Sequence, residues 1–559
     1  MDRRFLLAII LMIVIAVAPS IVFKQSHRPA PPPAVDSTAL EPVAPQAETK
    51  LPTLGPTDHP VAAAPAETIL VTSDLFTYAF STRGAVVVQA TPNKYRSMAP
   101  ADRGQPVQLV ADEGGWLGLT LVVGSDTLRL TDWNFTPSAP RVSVTAPSEL
   151  RFTAHRGSVE VALAYRFRPD DFRIDVAGSV SGIGPNGGLL LVGLGSGLRQ
   201  TEADSVSNHN EYSVVTKQNK SELTRFSRLQ PGLLTTLSGP FEWVAVKSKY
   251  FVTGLLAFDT TGARISGLSA LAHPNPAGKP VAADIQVSLP LTSTGAFSYT
   301  LYAGPMEQPR LARLGHEFDD VNPYGWPGFR TLIRPVAVGV RWLLVWMHER
   351  LSLAYGAVLI FFGILVRIVL WPLNQRGMRA GLKMQALQPE MQEIQEKYKS
   401  DPQRLQQEVM NLYKKHGANP FSGCWPMLLP WPVLLALFFV FQNTIELRGQ
   451  SFLWLPDLSL RDPLYILPVL MGISLFAVSK VGQMGMEPNP QMKMMLYLMP
   501  VMMTVLFLNF ASGLNLYYFV QNAVSIPQQW MLAKERLRLR PPPAPKAGPP
   551  TRSAKKPSE

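Results

Sequence analysis

Apolar positions along this chain keep three different rhythms. Near the start they run unbroken for 19 residues, Phe5 to Phe23, behind Arg3 and Arg4. Between about residues 67 and 320 they alternate with polar ones in short runs broken by Gly, Pro, Asp and Asn. From residue 351 to 531 long apolar runs return, interrupted by a charged stretch in which apolar residues step by three and four. Side chains alternate across a strand, share a face every 3.6 residues of a helix, and are apolar all round in a helix that faces lipid, so each rhythm predicts its own element type.

The alternating region holds runs such as VEVALAYRF (Val159 to Phe167), FRIDV (Phe172 to Val176) and FSYTLY (Phe297 to Tyr302). They predict a large β-sandwich of two packed antiparallel sheets over residues 67–320. MEQPRLARLGHEFDD, Met306 to Asp320, predicts a closing helix. His155, His209, His273 and His316 are far apart with no ligand spacing. They are surface or packing residues, and no metal site is expected.

Residues 1–23 are read as a retained transmembrane anchor with its N-terminus in the cytoplasm. A cleaved signal peptide is the rival, but the run is long and Pro19 follows the small residues Ala16 and Ala18. Residues 24–66, rich in Pro and Ala, cannot build a core and predict a tether. In 329–350, Arg334, Arg341 and His348 recur every seven residues, with Trp342 and Trp346 four apart. This fits an amphipathic helix lying at the membrane interface, or a helix packed on the β domain.

Five spans are read at 351–371, 424–441, 463–478, 494–510 and 514–531, which with the anchor make six. Eight Lys/Arg lie between Pro372 and Pro420 and eight more in the 534–559 tail, so both segments are placed in the cytoplasm and the β domain in the periplasm. Within 377–416, Met384, Leu387, Met391 and Ile394, then Leu405, Val409 and Leu412, form one apolar seam. A cytoplasmic helical hairpin follows, with Asp401 capping its second helix ahead of Pro402.

Composition narrows the function. A chain of 559 residues is too long for one core, and 47% hydrophobic with 16% charged residues suits a polytopic membrane protein. The net charge of +12 gathers beside the apolar runs, which reads as an orientation signal rather than a nucleic-acid surface. The single Cys424 excludes an intramolecular disulfide. There is no P-loop, Rossmann glycine pattern or nucleophile elbow, so no nucleotide, cofactor or covalent catalyst is expected.

The spans do hold polar residues: Arg367, Gln442, Asn443, Thr504, Asn509, Asn515, Tyr517, Tyr518, Gln521, Asn522, Gln528 and Gln529. Most suit ordinary helix packing. Arg367, in VLIFFGILVRIVLWP, is the costly one, since a guanidinium stays charged in hydrocarbon. Trp371 lies roughly 6 Å further along the helix. The side chain either snorkels to the cytoplasmic headgroups or faces a hydrated cavity with work to do.

The run RIVLWPLNQRGMRAGLKMQALQPEM (367–391), then NLYKKHGANPFSGCWPMLLPWPVLLALF (411–438), YILPVLMGISLF (465–476), NPQMKMMLYLMPVMMTVLF and SGLNLYYFVQNAVSIPQQ (512–529) resembles the YidC/Oxa1/Alb3 family of membrane protein insertases in its Gram-negative bacterial form. The resemblance is dense over 329–533. It implies five core helices around a hydrophilic groove, open to the cytoplasm and lipid and closed toward the periplasm, with Arg367 as its charge. Gly363, Trp425, Pro430, Trp431, Thr504, Tyr517, Tyr518 and Gln521 are its implied lining. The β domain then resembles a mutarotase-like supersandwich without enzymatic activity. Implied partners are nascent membrane proteins, the lipid bilayer, the Sec translocon, and the ribosome or a targeting factor, with the hairpin contributing to substrate or ribosome-side engagement.

The chain departs from the pattern at Pro430–Trp431, where many relatives have Gln and a flexible residue, and at Gly363, where some have a hydroxyl. Three rival readings remain: a small-solute transporter, a membrane scaffold that inserts nothing, and a sugar-processing β domain. No internal repeat favours the first.

Overall fold

The computed structural model describes residues 66–111, 115–259, 262–276, 278–325, 328–399, 401–416, 431–485 and 490–539. The anchor at 1–23, the linker up to residue 65 and the tail beyond 539 lie outside them, as do Trp425 and Pro430.

Alternation builds part of the β domain, while Ser213–Lys217, Trp243–Lys247 and Phe251–Leu256 are buried at every position. In Val159–Phe167 and Ala283–Leu291 every second residue is buried. A nine-stranded antiparallel sheet runs in the order Ser221–Arg225, Ser213–Lys217, Trp243–Lys247, Phe251–Leu256, Ala296–Pro305, Arg173–Ser181, Val159–Phe167, Ser148–Arg156, Thr136–Pro137. A six-stranded sheet runs Leu234–Phe241, Ile265–Ala272, Ala283–Leu291, Gly188–Gly193, Leu119–Val123, Asp126–Arg129. A third sheet has four strands, and in it Thr68–Thr72 pairs parallel with Arg141–Ser143. Tyr78, from that third sheet, donates to the carbonyls of Phe172 and Ala303, both at 3.1 Å, and so fastens it to the large one. Two antiparallel sheets were expected; among the described residues four are found, the fourth a ribbon of Phe258–Asp259 and Gly262–Ala263, because alternation shows that a face is buried but not which strands pair.

The predicted closing helix is mostly irregular. It begins as α2 (Gln308–Ala312), after α1 (Ser205–Glu211), and ends as a 3-10 turn, Phe318–Val321. Between them Gly315, His316 and Glu317 all have positive φ (78°, 49° and 52°), which no right-handed helix accommodates. The break lets Phe318 turn onto the large sheet, edge-on to Trp243 at 5.0 Å. Gly254 makes the room: a Cβ there would stand 2.6 Å from the Phe318 ring.

The helical part comprises α3 (Arg330–Leu351), α4 (Tyr355–Ala386), α5 (Gln388–Lys397), α6 (Pro402–Lys415), α7 (Trp431–Asn443), α8 (Ile466–Gly482), α9 (Pro490–Phe507) and α10 (Ser512–Leu539). Among the described residues one segment, Tyr355–Pro372, is long and apolar enough to cross a membrane; Pro432–Asn443, Ile466–Gly482 and Met492–Phe507 are shorter apolar helices. α4 outlasts its apolar run: it continues through Pro372 to Ala386, about 48 Å in all. α5 and α6 pack together, with Leu387 and Leu412 buried, Met391, Ile394, Leu405 and Val409 half-buried, and the Tyr413 hydroxyl 3.3 Å from Met391 Sδ. The Asp401 carboxylate accepts from the Arg404 amide at 3.1 Å and caps α6. Met384 lies in α4, and its side chain is outside the described ones.

The loop after α7 is part of the β domain's foundation. Ile445 is buried in that domain's core. Arg448 reaches Glu202, and Asn322 donates to the Asn443 carbonyl at 3.2 Å.

Candidate functional site

α10 is the centre of the bundle, packed against both α4 and α8. Tyr517, Gln521 and Gln528 stand at i, i+4 and i+11, which at 100° per residue is one face. That face meets α4. Gln521 Nε2 donates to the Gly363 carbonyl at 2.9 Å and to the Tyr517 hydroxyl at 3.1 Å. The Tyr517 and Phe362 rings lie 5.9 Å apart. Lower on the same face, Arg367 Nη2 donates to Gln528 Oε1 at 2.6 Å. Partner numbers rise together along both helices, so α4 and α10 run parallel.

Arg367 is half-buried and turned onto α10, while its neighbours Ile368 and Val369 are exposed. Gln528 is 1% exposed. Two further donors at this contact, Arg367 Nε and Gln528 Nε2, have no hydrogen-bond partner among the described residues. A buried donor left unpaired costs on the order of 1–3 kcal/mol, more when charged. The contact therefore holds a positive charge and two buried N–H groups that no acceptor among the described residues satisfies.

Gly363 is a packing residue: a Cβ there would stand 3.0 Å from Val520 Cγ1, and its absence lets α4 and α10 approach. Thr504 is not brought to Arg367. Its hydroxyl donates to the Pro500 carbonyl at 2.8 Å, and it lies over Gly472 of α8. Tyr518 turns the other way from Tyr517, edge-on to Phe507 of α9 at 4.9 Å. Trp431 opens α7, and its side chain is outside the described ones.

α3 is turned over relative to a helix that offers its charges to headgroups. Arg334 pairs with Asp319 at 2.7 Å, and Arg341, 6% exposed, pairs with Glu446. The His348 ring stacks on Tyr355 at 4.0 Å and hydrogen-bonds the Leu353 carbonyl. Trp342 and Trp346, stacked at 6.3 Å, are the exposed side, Trp342 at 61%. The heptad spacing did place the three polar residues on one face, but all three find partners within the protein, acidic ones for the two arginines.

Gln528 is the residue that sequence reasoning passed over as a site member. Its signal was available: a polar residue in register with Tyr517 and Gln521 along the same helix.

A large β domain, a bundle of apolar helices and one arginine held inside it define a multidomain membrane protein. The family described as "60Kd inner membrane protein" matches over residues 346–538, and "YidC periplasmic domain" over 68–337. The membrane protein insertase YidC of Chlorobaculum parvum is 30% identical, with 82% of this chain and 81% of that one covered. YidC of Oleidesulfovibrio alaskensis is also 30% identical, over 96% of this chain and 99% of its own. A solved crystal structure of an active YidC insertase, its first transmembrane domain resolved, covers 84% of this chain and 95% of its own at 16% identity, with a TM-score of 0.34 that is too low to bear on the fold. The chain belongs to the YidC family of membrane protein insertases.

Proposed function

We propose that this chain inserts and folds inner-membrane proteins, alone or with the Sec translocon. Arg367, held on α10 by Gln528, is the observation that carries the reading. The polar face of α10 and the facing wall of α4 form a hydrophilic groove open to the cytoplasm. An apolar segment of a client enters lipid beside the groove. Its short polar flank passes near Arg367, where the positive charge lowers the cost of leaving water for an acidic stretch. Apolar burial and the membrane potential supply the drive.

The topology that goes with this has six spans, five of them forming the core, with both termini in the cytoplasm. The β domain is then periplasmic and of supersandwich type. The α5–α6 hairpin faces the ribosome or a targeting factor. The cluster of Lys/Arg after α4 and beyond residue 533 supports that orientation.

The test is insertion of a single-span protein with an acidic N-terminal tail into vesicles that hold only this protein. Protease protection of the tail is expected well above the level in empty vesicles. Equal protection in both would sink the reading.

A further inference from the structure

A pocket unrelated to Arg367 lies where the β domain meets the ends of α7 and α10. It holds about 520 Å³ of empty space, counting its open mouth. Its lining mixes polar residues, Lys249, Glu211 and Ser459 among them, with the apolar Phe438, Phe441, Phe510 and Leu514. Lys249 is 8% exposed. Its ammonium sits over the Tyr250 ring, 5.1 Å from the centroid, and meets no carboxylate at ion-pairing distance among the described residues.

Of the surrounding carboxylates, Glu202 and Asp457 act on Lys249 through space, and each also has a closer partner of its own. Glu211, which also lines the pocket, has Lys247 and Arg225 each at 3.6 Å. Glu202 accepts from Arg448, and Asp457 accepts from the amide and hydroxyl of Ser459 at 2.8 and 2.7 Å. The Lys249 backbone is fixed, its amide donating to Asn208 at 3.1 Å. The pocket thus carries one buried cation with no carboxylate at ion-pairing distance among the described residues, and four apolar side chains, three of them aromatic, in the same lining.

We propose that this pocket binds the phosphate of a phospholipid headgroup, with the glycerol and first acyl carbons along Phe438, Phe441 and Phe510. The inference rests on the reading of the helices as membrane-spanning: the pocket then lies at their periplasmic ends, at headgroup depth, where a molecule with an anionic head and an apolar tail is the commonest neighbour. A charge-assisted contact to a desolvated ammonium supplies affinity, and the aromatic lining selects lipid over a free anion.

The experiment titrates the purified full-length protein in detergent with dihexanoyl phosphatidylglycerol and, separately, with inorganic phosphate, and reads bound ligand by native mass spectrometry. A lipid site that weakens about tenfold or more in Lys249→Gln is expected. Asn509→Trp, which puts bulk at the exposed rim without touching the core, should weaken the same site and tests the pocket if Lys249→Gln folds poorly. Unchanged lipid binding in the rim variant, or in a folded Lys249→Gln protein, overturns the proposal. Phosphate binding as tight as lipid overturns the lipid assignment and leaves a free-anion site. Insertion is not the readout, so a protein that binds lipid here but inserts nothing would count against the insertase reading alone.

Discussion

Arg448 and Glu202 lock the β domain to the helical bundle. Arg448 Nε lies 3.0 and 2.8 Å from the two carboxylate oxygens, and the side chains are only 5% and 6% exposed. The guanidinium also donates to the carbonyls of Arg96 (2.9 Å) and Thr201 (3.1 Å) and lies over Phe251. Removing one partner of such a buried pair strands a charge, at a cost of about 3–5 kcal/mol. Arg448→Met should lower the melting temperature of the purified protein and open the junction to proteolysis. Glu202→Gln in the same chain should restore part of the loss, since no lone carboxylate then remains. A single variant as stable as the parent would show that the junction does not depend on this pair.

The proposed groove charge at Arg367 predicts a graded pair of effects on insertion. Arg367→Ala should slow insertion of an acidic-tailed client by about tenfold, the loss of roughly one charge-assisted contact. Gln528→Leu leaves the charge but frees the guanidinium, so a smaller loss is expected. Rates in reconstituted vesicles decide it. Full activity of Arg367→Ala with several such clients would return the arginine to a residue that merely reaches the headgroups.

Gly363 should tolerate little. A Cβ already meets Val520 Cγ1 at 3.0 Å, so Gly363→Ala asks for a small shift, and Gly363→Val forces α4 from α10. Overpacking of this kind costs about 1–3 kcal/mol. The valine variant should lose thermal stability and should also weaken the Arg367–Gln528 contact, seen as a lower insertion rate. Equal melting temperatures for both variants and the parent would mean the two helices are not in close contact.

A pH effect belongs to the β domain. The hydrogen bond from Lys217, at 2.5 Å, holds the Glu317 carboxyl below its ordinary range. Its folded pKa is depressed, so the stabilisation is present in full above the ordinary carboxylate range and fades as pH falls through the folded value. Glu317→Gln should therefore melt below the parent at neutral pH and converge with it in acid. A gap between the two that widens on acidification would contradict the pairing.

What the sequence made legible was local. Asp401 could be read as a cap because its partner is three residues away. Val159 to Phe167 could be read as a strand because burial alternates within the run itself. Arg367 stood out because a charge in an apolar run is an anomaly at any range. Its partner was not legible in the same way: a glutamine on another helix leaves no trace near position 367. The same holds for Glu446 and Arg341, whose pairing turns the polar side of α3 inward and the two tryptophans out. Sheet partners are likewise set by the packing of distant segments, and a parallel strand pair was invisible beforehand.

The Arg367–Gln528 contact has a consequence for how this chain is made. Its two residues are 161 positions apart. At roughly 5–20 residues per second, the arginine waits on the order of 10–30 s for its partner to leave the ribosome. Until then α4 carries an unaccompanied charge, the very predicament from which an insertase relieves other proteins. A chain truncated before residue 512 should therefore place α4 poorly in the bilayer unless mature copies are already present. On the proposed reading, each new molecule is expected to be a client of the older ones.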